Sequence, residues 1–115
     1  MPSDQNYGPL CDIRLNIELA QSFTSNHTYD SFRVDRRTVY AVIRCLEIIS
    51  EASRRLTSDL KARHPNLPWP DIAGAGNIYR HDYENVVDKI VWDTVQYELK
   101  PVSEAVLAEL RTLTP

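Results

Sequence analysis

Asp35 to Leu56 reads DRRTVYAVIRCLEIISEASRRL, and its periodicity decides the fold. Val39, Val42, Ile43, Leu46, Ile49, Ser53 and Leu56 recur at the three- and four-residue spacing of one helix face. Tyr40, Cys45, Ile48 and Ala52 widen that stripe into a second apolar flank. A helix apolar over so much of its circumference packs on more than one side, which places it at the centre of a bundle. Asp35 is its expected N-cap, since a carboxylate there accepts from the unpaired N–H groups of the first turn. Glu51 and Arg55 stand in the favourable i,i+4 order on the polar strip. This is the longest clear helix of the sequence.

Working outward, Leu10, Ile13, Ile17, Ala20 and Phe23 predict a helix from Leu10 to Ser25, after a polar, frayed start at residues 1–7. Thr28 is placed to cap a short turn through Phe32, and His27 reads as surface. Beyond Leu56, a short helix is expected over Thr57 to Arg63 with Leu60 as its anchor. Pro65, Pro68 and Pro70 then stiffen a connector in which His64 reads as loop and Trp69 as a packing anchor. Near the C-terminus Val91, Val95, Leu99, Val102, Val106, Leu110 and Leu113 form a long stripe, with Asp88 as its expected cap. Pro101 is expected to kink that helix, because it removes one hydrogen bond and crowds the carbonyl of Tyr97.

No stretch alternates like a strand, and no internal repeat occurs. The expected architecture is all-α: an antiparallel four-helix bundle with one or two short extra helices. At 115 residues the whole chain, 1–115, makes one domain. No apolar run approaches the roughly 20 residues that cross a membrane, and no apolar signal-peptide core is present, so a cytoplasmic protein is expected. Cys11 and Cys45 fall in different predicted helices without metal-site spacing and read as ordinary thiols. Net charge is −3, so binding to RNA requires a local basic surface; Arg33, Arg36, Arg37, Arg54, Arg55, Lys61 and Arg63 are the candidates. Most such charges are the solvated faces of helices.

The densest chemistry lies in Trp69 to Tyr83, WPDIAGAGNIYRHDY. Pro70 and Asp71 suit a first helical turn. Asn77 lies three residues before Arg80 and four before His81, so one region of a helix surface carries an amide, a guanidinium and an imidazole. The phenol of Tyr83 follows two residues on. Gly74 and Gly76 each cost a helix roughly 1 kcal/mol relative to Ala, which suggests close packing against another backbone or a helix that something else must hold. The same residues also fit a plain structural role, with His81 favoured near a helix C-terminus by the dipole and Tyr83 packed with its hydroxyl bonded. There is no phosphate-binding Gly-rich loop, Cys-x-x-Cys pair or zinc helix, so no cofactor or metal is expected.

IAGAGNIYRHDY, the IVWDTVQYEL run from Ile90 to Leu99, and Asp35 to Ala52 resemble the HepT-like toxins of the HEPN superfamily, over nearly the whole chain. The family signature is an Arg, four residues, a His, any residue and a Tyr. His81, Asp82 and Tyr83 match its second half; Gly76 stands where the Arg would be, with Arg80 the nearest basic side chain. The resemblance implies a HEPN-type helical domain that is generally dimeric, with both motifs facing a shared cleft. It implies metal-independent RNA cleavage with His81 as proton-transfer group, Arg80 and Asn77 beside it, and an RNA substrate. It also implies a minimal nucleotidyltransferase antitoxin as partner, which adenylylates Tyr83. Loss of the motif Arg keeps two further readings open: a binding or scaffold module that retains the fold and the partner, and an RNA-independent nucleotide-binding module. Arg80 and His81 facing one another in a cleft would favour the enzyme.

Overall fold

A computed structural model describes residues 4–81 and 84–113, with the side chains of residues 5–76 and 87–113. All regular structure among the described residues is helical: α1 (Asp4–Thr24), α2 (Tyr29–Val34), α3 (Arg36–Arg54), α4 (Ser58–Ala62), α5 (Trp69–His81), α6 (Glu84–Asp93) and α7 (Leu99–Leu113). A turn of π-helix, Thr94–Glu98, joins α6 to α7.

The core forms where the stripes meet. Val39, Val42, Leu46, Ile49 and Ala52 of α3 are buried together with Leu10, Ile13, Ile17 and Ala20 of α1. Val91, Val95, Leu99, Val102, Val106 and Leu110 close the same cluster from the C-terminal run. As its two apolar flanks predict, α3 packs on several sides, against α1, α2, α5 and α6, while α7 lies against α1. Asp35 caps α3 as expected, accepting from the Thr38 N–H at 3.3 Å and the Thr38 hydroxyl at 2.8 Å. Thr28 caps α2 through a reciprocal pair with Ser31, and Thr57 caps α4 above the buried Leu60.

The ends of α1 differ from expectation. The helix starts at Asp4, runs through Pro9 and, at 21 residues, is longer than the 19-residue α3. The reason is Asn6, which is buried and exchanges two hydrogen bonds with Thr57: Nδ2 donates to Oγ1 at 3.1 Å, and Oδ1 accepts from the Thr57 N–H at 3.0 Å. Of the residues expected to fray, 4–7 are thus helical and held by a tertiary contact, while 1–3 lie outside the described residues. His27 is likewise half-buried, 2.9 Å from the Ser31 hydroxyl, 3.7 Å from the Asp35 carboxylate and edge-on to the Phe32 ring.

Asp88 does not cap a helix. Because α6 begins at Glu84, Asp88 lies inside it, buried and paired with Arg36. The irregularity expected at Pro101 takes the form of the π-turn just before it. There the Leu99 N–H donates to the Thr94 carbonyl, five residues back, and the Thr94 hydroxyl donates to the Ile90 carbonyl at 2.7 Å. A widened turn is one way for a helix to accommodate a proline that crowds the preceding carbonyls.

Candidate functional site

Helix α5 carries the candidate residues, and its start is firmly held. Trp69 is 9 % exposed, and its indole N–H is shared between the carbonyls of Lys61 and His64 at 3.2 and 3.1 Å. The Ile72 N–H donates to the Pro68 carbonyl at 3.0 Å, beginning the helical ladder. One turn on, the Ala73 carbonyl accepts from the Ser50 hydroxyl at 2.8 Å and from Arg54 Nη1 at 3.2 Å. These bonds fix the axial position of α5 against α3.

The two glycines do not mark a backbone contact. A Cβ at Gly74 would meet nothing within 4 Å, and one at Gly76 would stand 3.7 Å from the Ser50 hydroxyl, an ordinary contact distance. Neither has a positive φ. Of the two expectations for the AGAG run, close backbone packing is therefore absent, and a helix held by something else fits: the Ser50 and Arg54 bonds to Ala73 hold the helices together without needing a bare backbone at 74 or 76.

Asn77, Arg80 and His81 lie on the last turns of α5, which ends at His81. Their side chains and the whole of Tyr83 lie outside the described residues, as does the expected facing of Arg80 towards His81. Among the described residues no three His, Cys, Asp or Glu side chains gather as a metal site would require.

A groove of about 400 Å³ opens between α3, α5 and the π-turn, lined by Ile49, Ile72, Ala75, Ile90 and Thr94. Among the described residues its charged lining is Asp71 and Glu98. An apolar floor with carboxylates repels a phosphodiester.

Two polar clusters were missed in the sequence. His64, read as loop, has Nε2 2.6 Å from Glu109 Oε2, while Arg63 donates to both oxygens of Glu109 at 3.1 and 2.7 Å. The Arg63 guanidinium, and after it His64, hold the Glu109 carboxyl below the usual carboxylate range against the opposing effect of burial. The second cluster is Arg36 with Asp88. The available signal was register. Asp88 is in step with Val91 and Val95, and Glu109 follows Val106 by three residues, so both carboxylates sit on core stripes and demand a cation.

The profile of the ribonuclease HepT-like family matches residues 13–109 of the chain. A probable ribonuclease HepT from Thermococcus cleftensis is 39 % identical over 76 % of this chain and 80 % of its own length. Two putative RNases of Methanocaldococcus jannaschii are each 32 % identical over 90 % of this chain and 86 % or 90 % of their own. No solved structure matches significantly. No described helix is long and apolar enough to cross a membrane. On the strength of the profile and these relatives, the chain belongs to the HepT-like ribonuclease family.

Proposed function

We propose that this protein is the toxin of a toxin–antitoxin pair, a metal-independent RNA endonuclease controlled by a minimal nucleotidyltransferase antitoxin. One observation carries the reading: His81 and Tyr83 keep the spacing of the signature in a chain of the HepT-like ribonuclease family. His81 takes the proton from a ribose 2′-OH, the 2′ oxygen attacks the adjacent phosphorus, and the 5′ oxygen leaves with a proton returned by an imidazolium. The products are a 2′,3′-cyclic phosphate and a 5′-hydroxyl end. Such proton transfer contributes roughly 10²–10⁴-fold. Arg80 supplies the charge that steadies the phosphorane, and Asn77 orients His81 or the phosphate.

One imidazole and one guanidinium make a thin site. A homodimer of single-domain, antiparallel four-helix bundles, with both α5 C-termini in one cleft, would supply two of each and work in the cytoplasm. Adenylylation of Tyr83 by the antitoxin would fill that cleft with bulk and negative charge, repelling RNA phosphate. A second reading is favoured by Gly76, which stands where the signature has its guanidinium: a scaffold that keeps the partner and has lost cleavage.

The test is cleavage of a mixed-sequence RNA by the purified protein in excess chelator. The ribonuclease reading requires cleavage by the wild type and its loss in His81→Ala. Equal cleavage by both, or none by either, rejects it and leaves the scaffold.

A further inference from the structure

The chain is acidic overall, so RNA must be gripped by a local cationic surface, and the structure sorts the basic residues that could form one. Arg55 is held between Asp12 and Glu51 at 3.0 and 3.1 Å. Arg63 is bound to Glu109, and Arg54 is turned to the Ala73 carbonyl. Those charges are engaged in holding helices together.

The corner between α2 and α3 is different. Tyr40 is 60 % exposed on α3. Arg36 and Arg37 precede it by four and three residues and Arg44 follows by four, so all three share its region of the helix surface. The Arg36 guanidinium lies over one face of the Tyr40 ring, 5.4 Å from its centroid, and leaves the other face for stacking. Arg37 is exposed and, among the described residues, makes no ion pair; Asp35 feels its charge without closing on it. Arg33, in the last turn of α2, reaches the solvated Asp30 at only 3.6 Å, and Arg44 reaches Glu47 at 3.8 Å. The Arg33 pair is long and exposed on both sides, and pairs of that kind contribute little and exchange readily for phosphate. The Arg44 guanidinium is exposed, while its Glu47 partner is largely covered, and the 3.8 Å separation leaves the guanidinium edge turned to solvent.

A solvated aromatic ring bordered by guanidiniums is the arrangement that takes a base on its face and phosphates at its edges. The corner is also tied to the candidate catalytic segment. Arg36 bonds Asp88, one turn into α6, and α6 begins at the residue after Tyr83.

The geometry points to a docking site for single-stranded RNA at this corner, with one base stacked on Tyr40 and flanking phosphates held by Arg37, Arg44 and Arg33. The inference rests on the ribonuclease reading above and says where its substrate is gripped.

The test uses a fluorescently labelled, single-stranded oligoribonucleotide, with anisotropy measured in the full chain carrying His81→Ala so that the probe survives. Tyr40→Ala should weaken binding roughly 5- to 100-fold, whereas Tyr40→Phe, which keeps the stacking face, should bind nearly as the parent does. Arg37→Gln and Arg44→Gln should each weaken binding and lower the slope of log affinity against log salt by about 0.7. Circular dichroism melts should show each variant still folded at the assay temperature, because these side chains are exposed and make only a cation–π contact and a long ion pair.

If the parent binds RNA and the wild type cleaves it, yet Tyr40→Ala and both Arg variants bind as the parent does, the docking site is wrong and the ribonuclease reading survives. A corner that serves a protein partner gives that same result. If the parent does not bind and the wild type does not cleave, both readings fall together.

Discussion

Arg36 Nη1 donates to Asp88 Oδ2 at 2.8 Å and also to the Arg33 carbonyl at 2.8 Å, so one guanidinium joins the end of α2, the start of α3 and the second turn of α6. The Asp88 side chain is 5 % exposed and the Arg36 side chain about a third exposed. Phe32 packs at a tilt against Trp92, with ring centroids 5.2 Å apart, and closes the same junction from the apolar side. Helix α6 follows the His81–Tyr83 segment, so the junction sets where the chain must arrive after the candidate site.

Arg36→Ala should therefore be among the costly substitutions. It leaves a buried carboxylate without its cation, for which about 3–5 kcal/mol is typical. Arg55→Ala removes two ion pairs to exposed carboxylates and should cost less than about 1 kcal/mol. Urea denaturation of the two variants beside the wild type measures the difference; equal losses would show that burial of Asp88 carries no special penalty.

Glu109 predicts a pH signature. Its folded-state pKa is lowered by Arg63 and His64, so its contribution is fully present above the unfolded carboxylate value of about 4.3 and is lost as pH falls through the folded value. At neutral pH, Glu109→Gln should cost about 1–3 kcal/mol, the scale of a hydrogen bond to a charged group. The gap between wild type and variant should narrow steadily once pH drops below the ordinary carboxylate range. A gap that stays constant from neutral pH into that acid range would mean that the carboxylate's charge contributes nothing.

Periodicity is sufficient for the central stretch of the main helices, though not for where α1 and α6 begin. The Asp35 and Thr28 caps, the Leu60 and Trp69 anchors and the C-terminal stripe all follow from local chemistry, because each depends on residues close in sequence. What was not legible depends on distant partners. Asn6 looked frayed because Thr57 is 51 residues away, and His64 looked idle because Glu109 is 45 away. Asp88 was misread as a cap for the same reason: a helix N-cap and a buried ion-pair partner are the same residue type, and only Arg36, 52 residues earlier, distinguishes them. The candidate site itself was legible as a motif through His81 and Tyr83, since a signature needs spacing alone. The fit of a side chain at position 76 was not, since the space around a glycine is made by another helix.

That space makes the glycines testable. Gly74 lies in a helix with room for a Cβ, so Gly74→Ala should stabilise the protein by up to about 1 kcal/mol. Position 76 is buried but admits a Cβ, so Gly76→Ala should fold; Gly76→Arg, where its longer side chain clears Ser50, should restore the guanidinium of the signature and raise metal-free RNA cleavage. Thermal denaturation and a cleavage assay read the two effects separately. An unfolded Gly76→Arg would show that the rest of the side chain finds no exit past Ser50.

The last prediction separates toxin from scaffold in cells. Expressed without a partner, the wild type should slow growth, and His81→Ala should relieve the effect because no other residue of the motif suits proton transfer near neutral pH. Tyr83→Phe removes only the phenolic oxygen, so it should keep toxicity. It should also escape control by a co-expressed nucleotidyltransferase, since without that oxygen there is nothing to adenylylate. The informative measurement is growth of the three forms with and without that partner, combined with intact mass of the recovered protein. A toxin under covalent control gains the mass of one adenylyl group in the wild type and in His81→Ala but not in Tyr83→Phe. If the wild type and His81→Ala grow alike without the partner while the mass shift still appears, the chain is a modified scaffold, and the absence of the guanidinium at Gly76 has cost it the reaction.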